Sequence, residues 1–483
     1  MAQNPWQPRE WVLDAETEYR FELEIGTTIS VTVIRGTAEV FGAELAPTRT
    51  YLFGHSCKAA IFSWEGCTLE MSTFITPSCQ LSNLANARSR PPFHGQMRVR
   101  ARQAQRGSRS PNGIMEAPRI LVLGPEGAGK TSLCKILTNY AVRMGVPRSP
   151  VLVNLDPSEG GWSAPGALSA CSITQPLHTS TPTCPFGTTA SSAPTIMASS
   201  ALVPLVYWFG HKEPRRNNKL MDHLIETLGA AVDARLQDDD LSRISGVIID
   251  TPAGFASHAT GASKHPTVEA CVNSFHVNHI LVIGNEKLFV EMQRLFGDSG
   301  SIQVTKVPKS GGVVELDYAY RERILNQQLR AYMYGIQLEP PADIPVDKLG
   351  GDLIYDLSLS PHSSVVSFGD ISIYRVGGAE SMAPSSALPI GGERRISEVE
   401  AIPVDPSQPG SGLLNAVLAL LSQSEMDGDG DGHDQQLALH DIAGFVIITS
   451  IDITSRKMTV LSPTSGSLAG RVALVGSLEW QEN

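Results

Sequence analysis

The segment Gly124-Pro-Glu-Gly-Ala-Gly-Lys-Thr131 fits GxxxxGK[ST] in full, a spacing suited to holding nucleotide phosphates. Glycines at 127 and 129 let the chain curl, so that the backbone from Gly127 through Ala128, Gly129 and on to Ser132 can turn its N–H groups toward phosphate oxygens. Lys130 is placed to reach the β and γ phosphates, and Thr131 to hold Mg²⁺ through its hydroxyl. Two carboxylates complete the set. Asp250 closes the apolar run GVIID, where a second acid commonly orders the metal's water shell; a cap on the next turn is the alternative. Asp156 closes VLVNLD, a place that suits a general base for an acceptor hydroxyl and equally suits a cap on the turn into Pro157. A guanine reader would carry NKxD, whereas the matching stretch reads Gly284-Asn-Glu-Lys-Leu288, so the expected ligand is ATP.

These residues need a strand, a loop and a helix in series. RILVLG supplies the strand and TSLCKILTNYAVRMG the helix, and VLVNLD, GVIID and HILVIG are further apolar runs ending in polar or turn residues. Such runs separated by helix-compatible segments predict a parallel sheet. Upstream, FELEI, ISVTVI and AEVFGAEL alternate apolar and polar residues between glycines, which predicts a small antiparallel β domain. Downstream, Val365 to Val376 reads as strand, Leu413 to Leu421 as helix, and GFVIITSID with KMTVLSP as a terminal hairpin. The expected fold class is α/β: a central P-loop parallel sheet flanked by an N-terminal antiparallel β domain and a small mixed C-terminal domain. The expected divisions are 1–81 for the β domain, 82–113 for an Arg-rich linker, 114–336 for the P-loop domain and 337–483 for an α/β domain with low-complexity insertions.

In 483 residues, 38 Lys plus Arg face 49 Asp plus Glu, a formal charge of -11 that excludes a globally basic nucleic-acid coat. Seven cysteines form no CxxC pair, which argues against a zinc ribbon and a disulfide framework. No apolar run approaches the ~18 residues of a membrane span, so a soluble intracellular protein is expected. Asp427, Asp429, Asp431 and Gly432 imitate the start of an EF-hand loop, but its twelfth position is Ala438 and the bidentate ligand is missing.

GPEGAGKTS, LVNLDPSEGGWSAPGALSA, SGVIIDTPAGF, SGGVVEL and RERILNQQLRAYMYG, in this order and below GTAEVFGAEL, resemble the Clp-type polynucleotide 5′-hydroxyl kinase family, in its fungal branch of ATP-binding subunits of the pre-mRNA cleavage and polyadenylation factor. The resemblance spans nearly the whole chain. It implies three domains, bound ATP and Mg²⁺, a nuclear location and a role in mRNA 3′-end processing. It also implies partners: the scaffold subunit that binds the RNA polymerase II C-terminal tail and the other cleavage factor I A subunits, with any RNA contact indirect and no membrane. By the same resemblance the N-terminal domain closes over the nucleotide through an acid and a lysine matching Glu18 and Lys58, and Asp156 matches the kinase base. Departures point away from catalysis. The family's TxGW clasp reads Thr251-Pro-Ala-Gly-Phe255, and a lid position that can carry arginine holds Glu315, although Arg321, Arg323 and Arg330 follow. The resemblance therefore implies an assembly subunit that holds ATP without turnover, with an active RNA 5′-hydroxyl kinase as the alternative and a SIMIBI-type nucleotide switch, suggested only by Asp250-Thr-Pro-Ala-Gly254, as a distant third.

Overall fold

Alternating residues upstream of the phosphate loop form eight strands: β1 (Arg9–Leu13), β2 (Thr17–Glu22), β3 (Thr27–Gly36), β4 (Ala38–Val40), β5 (Ala43–Leu45), β6 (Thr50–Phe53), β7 (Lys58–Ser63) and β8 (Cys67–Ile75). They pair antiparallel in two sheets, β1-β8-β3-β6 and β2-β7-β4-β5. Val31, Val33, Ile61 and Leu69, with Phe21 and Phe53 edge to face, fill the space between them. The structure, a computed structural model, describes residues 8–75, 117–256, 265–335, 345–350, 360–376, 399–422 and 437–482, apart from 55, 180, 184, 187–202, 298–299, 346–347 and 409. The Arg-rich stretch, the acidic run and most of the Ser/Thr/Pro-rich stretch lie outside the described residues.

The central sheet has the order β12-β11-β10-β13-β9-β14-β15, built from β9 (Arg119–Leu123), β10 (Val151–Asn154), β11 (Ala167–Ser172), β12 (Leu205–Trp208), β13 (Val247–Asp250), β14 (His279–Ile283) and β15 (Gln303–Val307). β10, β13, β9, β14 and β15 run parallel, as the apolar runs predict, and β11 and β12 add an antiparallel edge. Helices cover it: α1 (Lys130–Val142), α2 (Asn218–Asp238), α3 (Asp240–Ser245), α4 (Pro266–Ser274), α5 (Glu286–Met292) and α6 (Tyr318–Tyr334). Cover on both faces is why these strands read as unbroken apolar runs.

A third sheet, β16-β21-β20-β19-β22-β17-β18, comprises β16 (His362–Ser367), β17 (Ile371–Val376), β18 (Ala401–Pro403), β19 (Ala416–Leu421), β20 (Ile442–Asp452), β21 (Lys457–Ser462) and β22 (Arg471–Glu479). One expectation is corrected here. Leu413 to Leu421 is not a helix; its apolar part is β19, buried at all six positions between β20 and β22. A short all-apolar run has no period, so only its neighbours decide between helix and strand. Phe445 N–H donates to Tyr332 Oη at 3.0 Å and Trp480 Nε1 to the Asn326 carbonyl at 3.2 Å, which joins this sheet to α6.

Candidate nucleotide site

β9 delivers the chain into the loop 124–131 and α1 begins at Lys130. Gly127 and Gly129 take φ +59° and +87°, the left-handed region that the curl of the loop requires. No side chain caps α1, so its first N–H groups and its positive end are available to an anion. Lys130 Nζ rests on the Pro125 carbonyl at 3.2 Å, and Thr131 Oγ1 donates to Glu159 at 3.1 Å.

Above the loop lies a cavity of about 960 Å³ walled chiefly by a floor, a lid and a roof, with Lys212 to Pro214 and Pro252 to Gly254 at its side. The floor is Glu126 to Ile136 with Asp156 and Glu159. The lid is Ser310 to Val314 and Leu316 with the start of α6, including Tyr320 and Arg321. The roof comes from the N-terminal domain: Arg20, Glu22, Phe41, Cys57 and Lys58. Roof and lid touch directly: Arg20 Nη1 donates to the Gly311 carbonyl at 3.2 Å, Tyr320 Oη to the Ser56 carbonyl at 3.0 Å, and Lys58 Nζ stands 4.9 Å from the Tyr320 ring centre.

Asp250, the last residue of β13, lies beneath the loop, wholly buried beside Thr131 and Lys130, and among the described residues neither of its carboxylate oxygens has a hydrogen bond of good geometry. Burial, followed by the neighbouring Glu159 charge, pushes its pKa up to about 7. Burial also raises the Glu159 carboxyl, helped by Asp156. A hard dication takes oxygen donors and would relieve this strain, so Asp250 with Thr131 fits Mg²⁺. Asp156 lies on the cavity wall, but its Oδ1 already accepts from Ser158 N at 3.0 Å and Ser158 Oγ at 2.6 Å, the turn cap offered by its sequence position.

The structure places the two expected roof residues differently. Lys58 is on the wall as expected, paired with Glu22 at 2.9 Å. Glu18 is not on the wall: it is buried and ion-paired with Arg20, and Glu22 is the acid that the N-terminal domain brings to the wall. With a side-chain period of two, Glu18, Arg20 and Glu22 share one face of β2, and sequence alone does not say which meets a ligand. Phe255, at the expected clasp position, is 6% exposed within the hydrophobic core. Glu315 is exposed and off the wall, while Arg323 and Arg330 stack on Tyr320 and Tyr334. Arg321 alone of the lid arginines lines the cavity. Asn285, where a guanine reader would begin, caps α5 by accepting from Leu288 N.

Several wall residues escaped sequence reasoning. Glu159 had a faint signal, three residues beyond Asp156. Lys135, 5% exposed, donates to Thr179 Oγ1 at 3.2 Å and lies 4.4 Å from the Phe41 ring centre; burial lowers its pKa to about 8. Its position in α1 offered no hint, because its partners come from two distant segments.

Comparison with known proteins agrees with this architecture. Residues 124–335 match the family described as mRNA cleavage and polyadenylation factor CLP1 P-loop, residues 359–482 match Pre-mRNA cleavage complex II protein Clp1, and residues 12–98 match the N-terminal beta-sandwich domain of polyadenylation factor. The mRNA cleavage and polyadenylation factor CLP1 of Laccaria bicolor is 51% identical over 98% of either chain. The polyribonucleotide 5′-hydroxyl-kinase Clp1 of Danio rerio is 30% identical, covering 96% of this chain and 92% of its own. Among solved structures, the Clp1p chain of a Clp1p–Pcf11p (454–563) complex has the same fold, with a TM-score of 0.77 over 99% of both chains at 24% identity. Among the described residues no helix is long and apolar enough to cross a membrane.

Proposed function

This chain belongs to the Clp1 family of mRNA cleavage and polyadenylation factors, and from that premise we propose that it is an ATP-binding subunit of the nuclear pre-mRNA 3′-end cleavage machinery that holds ATP without turning it over. The observation that carries this reading is the roof-to-lid contact. With Arg20 on Gly311 and Tyr320 on Ser56, the N-terminal domain and the lid meet over the cavity, an arrangement that favours slow exchange of a bound nucleotide. Gly127 to Ser132 and Lys130 hold the phosphates, Glu22 and Lys58 face the roof end, and Thr131 and Asp250 hold Mg²⁺, which supplies charge neutralisation at the phosphates when bound. A closed, ATP-filled subunit presents a fixed outer surface to a scaffold subunit that binds the polymerase II C-terminal tail and to other cleavage factor I A subunits; RNA then meets the complex indirectly.

Arg321 on the cavity wall and the name of the Danio rerio relative favour one competing reading, an active RNA 5′-hydroxyl kinase with Asp156 as base. The two separate on one measurement: the nucleotide extracted from purified protein. Intact ATP is expected; recovery of ADP would overturn the holding role.

A further inference from the structure

Glu126, the third residue of the phosphate loop, brings Oε1 to 2.6 Å from Arg321 Nη1. Arg321 stands in the first turn of α6, and its Nε donates to the Leu316 carbonyl at 3.2 Å, which fixes the guanidinium against the lid. Both side chains are on the cavity wall. The pair therefore joins floor to lid at the mouth, on the lid that Val313 also brings over Gly129.

The energetics suit a contact that opens. Glu126 is 65% exposed and Arg321 34%, so water screens their attraction and the fold does not depend on it. A carboxylate beside nucleotide phosphates is unfavourable unless a cation faces it, so Glu126 requires Arg321 most when the cavity is full. We propose that Glu126 and Arg321 form a latch that closes the lid over bound nucleotide and sets its residence time, with Glu126 acting as a positioning residue through Arg321. The inference rests on ATP occupying this cavity.

The test is release of a fluorescent β,γ-imido analogue of ATP from full-length protein, chased with excess ATP. Removing a carboxylate near phosphates by itself slows release, whereas breaking a latch speeds it, so the sign distinguishes the two. Glu126→Gln should release about two- to five-fold faster, the span of a partly exposed ion pair. Arg321→Gln should also release faster, Arg321→Lys should stay near wild type, and the double variant should be no faster than Arg321→Gln alone. Raising salt from about 0.1 to 1 M should speed release more in wild type than in Glu126→Gln, because both share the screened attraction of the phosphates and only wild type has the pair. Unchanged or slower release in Glu126→Gln, effects that multiply in the double variant, or salt-insensitive wild-type release would each overturn the latch; the salt titration needs no variant to fold. The imido analogue is not turned over, so recovery of ADP from wild type defeats the holding role while leaving this measurement readable.

Discussion

Tyr140 donates its phenolic hydrogen to Glu39 Oε1 across 2.6 Å, and Arg143 donates to the other oxygen of the same carboxylate at 3.0 Å. Helix α1 thus begins in the phosphate loop and ends in a buried polar node on the N-terminal domain. The β4–β5 turn completes the node: Asn139 donates to the Phe41 carbonyl, and a Cβ on Gly42, which has φ +82°, would approach Asn139 Cβ and the Ile136 carbonyl at 3.2 Å.

Truncating Glu39 should therefore loosen the roof and, through it, the nucleotide. Glu39→Ala removes the acceptor of the Tyr140 hydroxyl and one of the acceptors of Arg143, which keeps the Gly42 carbonyl and Glu44, a change expected to cost roughly 1–3 kcal/mol. ATP affinity measured by calorimetry should fall with it, and deleting residues 1 to 80 should weaken binding further. Equal affinity in truncated and full-length protein would remove the N-terminal domain from the site.

Lys130→Ala should strip bound nucleotide from the purified protein. A ligand that binds only the folded state at a hundred times its Kd adds about 2.7 kcal/mol. The variant should accordingly melt several degrees earlier than ATP-loaded wild type and at the same temperature as nucleotide-free wild type. Undiminished ATP in the variant would sink the assignment of the loop.

The fold and the phosphate loop were legible because their signals are local. RILVLG before GPEGAGKT is a strand feeding a turn, and both carboxylates sit near strand ends where their runs stop. The roof was legible only through family resemblance, and there the register along β2 sets Glu22, and not Glu18, on the cavity wall. Lys135 and Arg321 were harder. One is functional in appearance only after Phe41 and Thr179 fold around it, and the other only after the lid turns α6 toward Glu126. The strand β19 was misread for the same reason: nothing within AVLALL tells which neighbours will cover it.

Asp250→Asn should separate the metal from the nucleotide. In wild type without ligand, the buried carboxylate has no well-formed hydrogen bond among the described residues and its burial disfavours charge. The amide removes that charge, so the nucleotide-free variant should be at least as stable as wild type. Adding Mg²⁺ with ATP should raise the melting temperature of wild type well above that seen with ATP and a chelator, and this extra rise should disappear in the variant. An equal Mg²⁺ increment in both proteins would take Asp250 out of the metal site.

Lys135 gives stability a pH dependence of definite sign. Its folded pKa is lowered to about 8 from an ordinary value of 10.5, first by burial and partly offset by Glu159. Between those values the unfolded chain binds more protons, so nucleotide-free stability should rise as pH climbs from about 8 toward 10.5 and owe nothing to Lys135's titration below that window. At about 1.4 kcal/mol per unit the contribution is at most ~3.5 kcal/mol. Lys135→Met should lose the rise, and bound ATP should flatten it by stabilising the ammonium. Urea unfolding across this range, with and without ATP, reads all three; a wild-type profile identical to that of Lys135→Met would reject the role of the buried lysine.

Transfer of the γ-phosphate to RNA should be absent or very weak. Phosphoryl transfer depends on positioning and on cations aimed at charge spread over the transferred group. A general base contributes ~10² to 10⁴-fold, whereas an arginine directed at the transition state contributes about 10³ to 10⁵-fold. Here Asp156 has one oxygen committed to Ser158, Phe255 is in the core instead of against an acceptor, and Arg321 is held by Glu126 and the Leu316 carbonyl. A displacement of 1 Å in such a group can cost ~10²-fold, so the larger contribution is the one lost. Incubation with γ-labelled ATP and an RNA bearing a 5′-hydroxyl decides the matter: efficient labelling that vanishes in Asp156→Asn would promote the kinase reading. If no labelling is seen and the protein captures its scaffold partner only when Lys130 is intact, ATP serves assembly.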